Sequence, residues 1–574
     1  MMKVSDYIVS YLEQRGIRVI FGYIGGMITH LVDSIAANPN VRFVQTYHEQ
    51  TAAIAAEGYA LETNNFGVAI STSGPGATNM ITGIADAYFD SIPVLYITGQ
   101  VNTYEYKYDK PIRQQGFQET DVVSIVTPIT KYAKLVDKAE EVRYELDKAL
   151  TLALSGRKGP VLLDLPMNIQ RAEINPDVLR KYEGEALQES PSPIDWDEVK
   201  TVLQNCQKPL LLIGGGCRDC ETELLNEFIR HIGCPVITSL MGRGIIDETY
   251  ENYVGMVGSY GNRCANMSVN KADVLIALGS RLDTRQTGAM LDGFMPTGMI
   301  LHVDIDDKEL SSHRLKNRIS ICCPVSVFLK QVLFFGIDWN SYKEWNAELQ
   351  ELKIRYNQHQ EVERFVENKS PYRFFQYLNQ MTKKGDVLCA DIGQNQMWAA
   401  QSLELKTGQH FLTSGGLAPM GYSLPAAVGT AFANMGKTVY SINGDGGFHI
   451  AVQSLMLISQ YDLPVKVIVM NNHALGMITQ FQHLYFDDRM EGTTRDGGYY
   501  VPDIQRLAGS YGLRYFYLDE TLLVDEKLRE EIVQCRNCII EYAITGLTTV
   551  SPKLEYNKPI DRPSPELEEN ELRK

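Results

Sequence analysis

An aspartate held between glycines and a pair of asparagines bracket one stretch of this chain: Gly444-Asp445-Gly446-Gly447 at its start and Asn471-Asn472 at its end. A carboxylate, a carboxamide oxygen and nearby main-chain carbonyls make a hard, oxygen-only site. It has too few protein ligands to enclose a cation alone, which suits Mg²⁺ sharing its coordination with phosphate oxygens. Gly446 and Gly447 let the backbone approach an anion closely, and a helix beginning near Phe448 would aim free N–H groups at it. A diphosphate fits such a place. The plainer alternative is a tight turn whose aspartate caps a helix and whose asparagines only begin a loop.

The elements that must position these groups are legible around them. An apolar run ends at Gly444, apolar positions recur at helical spacing over 449–460, Leu463-Pro464 stops that helix, and 465–470 is a second β-branched run. Two strands joined in this way lie parallel with a right-handed crossover. Asp445 and Asn472 are then neighbours at the carboxyl ends of adjacent strands, where open α/β sheets bind ligands.

Gly444-Asp445-Gly446, 24 intervening residues and Asn471-Asn472 resemble the thiamine diphosphate (ThDP) fingerprint. The resemblance assigns Mg²⁺ to Asp445, Asn472 and the main-chain carbonyl of Ala474. It also requires a carboxylate elsewhere for the pyrimidine ring of that cofactor.

Residues 1–179 alternate helix and strand, as an α/β domain with a mainly parallel sheet does. A strand over 41–47 runs into His48-Glu49-Gln50 and an alanine-rich helix, so Glu49 stands at a strand-to-helix junction. Alone, it reads first as a first-turn acid complementing a helix dipole. Further on come Thr72-Ser-Gly-Pro-Gly-Ala-Thr-Asn79 and Gly116-Phe-Gln-Glu-Thr-Asp121. Together with His48-Glu49-Gln50 and Ala55-Ala-Glu-Gly-Tyr-Ala60, these motifs look like the pyrimidine-binding domain of the acetohydroxyacid (acetolactate) synthase family.

That resemblance implies three doubly wound α/β domains of the ThDP-enzyme type: pyrimidine-binding over 1–179, central over 190–345 and diphosphate-binding over 366–548, with a tail over 549–574. Glu49 would hold the pyrimidine ring in its active tautomer, with Gln118 as a second catalytic group. Gly26, Pro75, Asn79, Gln394, Asn395, Ala418, Met420, Gly444, Gly446, Gly447 and Met477 would surround ThDP. In the central domain, Gly214, Gly215, Met241, Arg281 and Asp304 resemble contacts to FAD, although an empty structural domain is the alternative. Phe117, Arg285 and Phe481 would face substrate. The family's pyrimidine and diphosphate domains meet across subunits, so a homodimer or homotetramer is implied, with room for a regulatory subunit.

The bulk of the chain agrees with a multidomain enzyme. Its 574 residues exceed one core and suggest three or four domains. A net charge of −16 argues against nucleic acid or an anionic membrane as partner. No apolar run reaches spanning length and the first sixteen residues are broken by charges, so a cytoplasmic protein is expected. The ten cysteines read as buried thiols rather than a disulfide framework, and neither Cys217/Cys220 nor Cys535/Cys538 has histidines at ligand spacing. Residues 180–197 read as a polar, proline-rich linker, 345–368 as a charged helical connection, and the tail as a polar extension or lid without a core.

Several positions depart from the synthase pattern. Ile24 stands for a proline, Met167 for a lysine, Tyr260 for a histidine, Thr284 for an acid, and Phe481 for a tryptophan that favours 2-oxobutanoate as acceptor. Three readings follow: a pyruvate-decarboxylating carboligase giving 2-acetolactate; a ThDP enzyme with another acceptor, such as a keto-sugar nucleotide, or with none; and a non-catalytic ThDP-binding subunit. Intact Glu49 and metal motifs argue against the last.

Overall fold

The computed structural model describes residues 1–184, 193–339 and 342–572. The middle of the expected linker, 185–192, lies outside the described residues. Three six-stranded sheets, parallel throughout and flanked by helices, follow one another along the chain. The first comprises β1 (Val19–Tyr23), β2 (Arg42–Gln45), β3 (Gly67–Ser71), β4 (Val94–Gln100), β5 (Tyr132–Leu135) and β6 (Val161–Pro166), in the order β2-β1-β3-β4-β6-β5. Its inner strands β3, β4 and β6 are buried at every residue, as strands covered by helices on both faces must be.

The second sheet comprises β7 (Pro209–Ile213), β8 (Val236–Thr238), β9 (Tyr253–Met256), β10 (Val274–Leu278), β11 (Met299–Asp304) and β12 (Arg318–Cys322), in the order β9-β8-β7-β10-β11-β12. That is the dinucleotide-fold order, with its switch point between β7 and β10. The third comprises β13 (Val387–Ala390), β14 (His410–Leu412), β15 (Val439–Gly444), β16 (Val465–Asn471), β17 (Arg514–Leu518) and β18 (Cys538–Ala543), in the order β14-β13-β15-β16-β18-β17. The outer domains therefore repeat one wiring and the central domain uses another.

The first and third domains are locked by two helices, Glu49–Thr63 and Ser423–Ala433, both lined with small residues. A Cβ at Gly58 would come within 2.9 Å of the Ala426 carbonyl carbon, and one at Gly429 within 2.7 Å of that of Ala55. Only glycine lets the backbones touch at these two crossings.

Two expectations are corrected. The helix read over 449–460 is two, Asp445–Ile450 and Ser454–Gln460, the first beginning at the aspartate itself. The tail is not a solvated polar extension: Ile560 and Leu567 are buried in the central domain's apolar core. Arg263, paired with Glu361 at 1% exposure on both sides, donates to the Pro563 and Pro565 carbonyls. Isolated apolar residues and carbonyl acceptors fasten a strap that carries no periodic pattern.

Candidate functional site

Strands β15 and β16 end together, with Gly444 opposite Met470 in their parallel register. Asp445 therefore leaves one strand where Asn471 and Asn472 leave the next. The Asp445 side chain is buried, and its Oδ1 accepts a hydrogen bond from the Tyr499 hydroxyl at 2.7 Å. Its Oδ2 is buried without a partner. Desolvation pushes this carboxyl above the usual range, against the pull of the Tyr499 hydroxyl and the main-chain N–H groups of Gly446 and His473. A buried carboxylate oxygen with no donor carries a desolvation penalty, which a bound cation relieves, so the donor set fits Mg²⁺. Asn472 accepts from the Ala474 N–H at 3.2 Å and donates to the Thr548 hydroxyl at 3.1 Å, folding Ala474 into the same turn.

The glycines after Asp445 are crowded. A Cβ at Gly446 would lie 2.7 Å from Leu475 Cδ2, 3.0 Å from the Tyr499 hydroxyl and 3.2 Å from Met420 Cε; one at Gly447 would lie 2.6 Å from Asp391 Oδ2. Asp391, at the end of β13, is fully buried. Burial pushes its carboxyl up to about 7, against main-chain N–H groups from Ile392 and Gly421. It pins the 413–421 loop to the sheet. In that loop Ala418 has φ of +59° and donates its N–H to Ser414 Oγ at 2.9 Å. The side-chain amides of Gln394 and Asn395 donate to protein acceptors, Gln394 to the Thr548 carbonyl and Gln480, Asn395 to the Asp391 carbonyl. Asn395 Oδ1 stands 3.2 Å from the position a Cβ would take at Gly444.

Glu49 is the first residue of its helix and is buried. Asn79 donates to its Oε2 at 2.9 Å, and Gly76, next to Pro75, leaves its other oxygen approachable, since a Cβ there would stand 3.3 Å away. Gln118, at φ +62°, packs over Gly74. Phe117 is 80% exposed, and the space where a Gly26 side chain would go is open. Glu49 with Asn79 and Asp445 with Tyr499 thus form two clusters, joined through the helix crossing and a 2.9 Å bond from Gln453 to Thr51. Met477 is partly buried in the Gly476–Tyr485 helix. Phe481 is half exposed on that helix, against Tyr485 and Phe486.

A separate cavity of about 250 Å³ opens among all three domains, with Gly215, Met241, Arg281 and Asp304 in its lining. Gly214 lies beneath it, where a side chain would strike Gly279 and Ser280. Arg285 reaches the same cavity rather than the Asp445 cluster, with its guanidinium 5.8 Å from the Tyr260 ring centre.

Comparison with known proteins gives this geometry a family. The model of the N-terminal thiamine pyrophosphate binding domain of thiamine pyrophosphate enzymes matches residues 2–125, the central-domain model 196–332, and the C-terminal thiamine pyrophosphate binding domain model 391–542. The chain is 36% identical to the probable acetolactate synthase large subunit of Methanocaldococcus jannaschii, covering 95% of this chain and 92% of that one. It is 32% identical to the acetolactate synthase large subunit of Lactococcus lactis, over 96% and 94%. It is 36% identical to the acetolactate synthase isozyme 2 large subunit of Escherichia coli, over 89% and 90%. The chain belongs to the acetolactate synthase large-subunit family of thiamine pyrophosphate enzymes.

Within this family member, sequence reasoning missed several residues at the site. Tyr499 sits in an irregular segment whose Gly497-Gly498-Tyr499-Tyr500 carries no motif. Thr548, which bridges Gln394 and Asn472, falls where the third domain gives way to the tail. Asp391 did offer a signal, since a carboxylate ending a strand next to Asp445's strand shares its position in the fold. No helix among the described residues is long and apolar enough to cross a membrane.

Proposed function

We propose that this chain decarboxylates pyruvate with ThDP and Mg²⁺ and joins the two-carbon unit to a second carbonyl, giving 2-acetolactate. The observation that carries this reading is the partnerless, buried Oδ2 of Asp445 beside Asn472 at the meeting ends of two parallel strands, in a family named for that synthesis. When bound, ThDP supplies a carbon nucleophile and an electron sink for loss of CO₂. Asp445, Asn472 and the Ala474 carbonyl hold the metal that anchors its diphosphate. Gly446 and Gly447 clear the way for the phosphates, and Met420 props the cofactor between its two ends. Glu49 shares a proton with the pyrimidine ring, and Asn79 keeps its carboxylate in place. Gln118, Phe117 and Phe481 border the substrate, and a closed, dry site shields the chemistry from water.

Glu49 and Asp445 serve one cofactor across a subunit boundary in this reading, so a homodimer is the smallest active unit, in the cytoplasm. The exposure of Phe117 and the open space at Gly26 support a second subunit there. That the relatives are large subunits supports a regulatory partner. The dinucleotide order of the central sheet and the cavity at its switch point support FAD, held by Gly214, Gly215, Met241, Arg281 and Asp304; Arg285 in the same cavity reaches toward the substrate carboxylate. Purified protein incubated with pyruvate, ThDP and Mg²⁺ should form acetolactate, and Glu49→Gln should abolish turnover with the fold intact. Acetaldehyde as sole product, or no CO₂ release, would overturn the carboligase reading. Flavin absorbance of the purified protein tests the FAD assignment.

A further inference from the structure

We propose that Tyr499 is a positioning residue for the metal ligand Asp445: its hydroxyl fixes one carboxylate oxygen so that the other is aimed at Mg²⁺, and its ring closes one wall of the diphosphate cradle. The inference rests on the Mg²⁺ and ThDP reading above.

The Asp445 carboxylate is used unevenly. Oδ1 takes the Tyr499 hydroxyl at 2.7 Å while Oδ2 is buried and unpartnered. The terminal torsion of an aspartate is broad and two-fold, so without the phenol a carboxylate left to the weaker pull of the Gly446 and His473 N–H groups would sample orientations that point no lone pair at the ion. The phenol removes that freedom. Partners of this kind behind a metal ligand set its geometry, and their loss weakens metal binding by roughly 10- to 100-fold.

The same hydroxyl stands 3.0 Å from the position a Cβ would take at Gly446, beside Leu475 and Met420. Tyr499 therefore borders the space that the glycine keeps clear. Its segment is not loosely draped over the site. The Leu475 N–H donates to the Thr493 carbonyl at 3.0 Å, the Thr493 hydroxyl bonds Gln482, and the Tyr499 N–H donates to the Thr494 carbonyl at 2.8 Å. These bonds tie Tyr499 to the helix that carries Met477 and Phe481, so the metal ligand and the substrate-facing helix share one brace.

The test titrates Mn²⁺ into the full-length protein at saturating ThDP, with free ion read by electron paramagnetic resonance. Tyr499→Phe should raise the apparent dissociation constant about tenfold or more and leave the melting temperature of the cofactor-free protein unchanged. Tyr500→Phe, which removes a hydroxyl from an exposed neighbour, should change nothing. Should Tyr499→Phe fold poorly, Thr493→Val, which frees the segment from Gln482, should shift the metal constant in the same direction. Unchanged affinity in Tyr499→Phe overturns the proposal, and so does tighter binding, which would make the hydroxyl a competitor of the ion. If the wild-type protein takes up no Mn²⁺ with ThDP present, the metal reading itself falls, and this inference with it.

Discussion

Replacing Gly429 by alanine tests whether the helix crossing between the outer domains sets the catalytic geometry. The added methyl would lie 2.7 Å from the Ala55 carbonyl carbon, where contacting carbons need about 3.5–4.0 Å. The Glu49–Thr63 and Ser423–Ala433 helices must then part by about 1 Å or more, since the Ala55 carbonyl oxygen stands nearer still. Glu49 opens the first of these helices, so it shifts against its own chain's third domain, and with it against the subunit boundary across which the cofactor is shared in the reading above. A displacement of that size at a reacting centre costs about 100-fold in rate. Stability should change little: alanine gains about 1 kcal/mol in a helix interior over glycine, against about 1–3 kcal/mol for overpacking. CO₂ release from pyruvate should fall about 100-fold while the melting temperature drops by a few degrees at most. Gly509→Ala is the control, since it adds the same methyl to a helix with nothing within 4 Å and should keep full activity. A Gly429→Ala enzyme working within a factor of about two of wild type would refute the coupling of this crossing to the site.

Glu361→Gln leaves Arg263 charged, buried and without its carboxylate; losses of about 3–5 kcal/mol are expected for such breaks, and limited proteolysis should release the tail that Arg263 fastens. Cys535 is the one cysteine that is not buried, and a hydrogen bond from Cys538, helped by Lys466 and Arg514, lowers its thiol to about 6. It should be the first alkylated by limiting iodoacetamide near neutral pH, as peptide mapping would reveal, with Cys538→Ser slowing the reaction. Asp164, buried and accepting from Thr98 and Gln100, is pushed up to about 7 by desolvation. The folded chain thus holds this proton more tightly than the unfolded one, so the stability it contributes is full below about pH 4 and lost as pH rises through 7. Asp164→Asn should flatten the dependence of melting temperature on pH in that window.

What could be read without coordinates divides along physical lines. The Asp445 and Asn472 pair was legible because a strand, a crossover helix and a parallel strand fix the relation of their ends by local rules. The Glu49–Thr63 helix was recognised as a helix, but its partner was not. It is buried on almost every side, so it has no apolar stripe to say which face meets what. Glu57 shows the consequence: read only as part of a motif, it is fully buried with neither oxygen bonded, and burial beside Asp86 and Asp90 pushes its carboxyl well up. Tyr499 lay beyond reach because an irregular segment carries neither period nor fixed offset. The tail misled because two apolar residues among prolines look like solvent-exposed chain until Arg263 and the central core are placed behind them.

Strand order was the deepest fact hidden from the sequence, since alternating strands and helices read alike whichever way each crossover turns. It decides where each domain opens. In the outer sheets the winding reverses between the first and third strands. In the third domain those are β13 and β15, whose ends carry Asp391 and Asp445; in the first they are β1 and β3, whose ends bring Gly25 against Thr72. In the central sheet it reverses between β7 and β10, where Gly214 meets Gly279 beneath the three-domain cavity. Open α/β sheets bind ligands at such reversals. The glycines crowd there because two chain ends diverge around space that side chains must not fill. The motifs therefore mark the openings of the sheets, and the chemistry depends on which carboxylate the winding delivers to each.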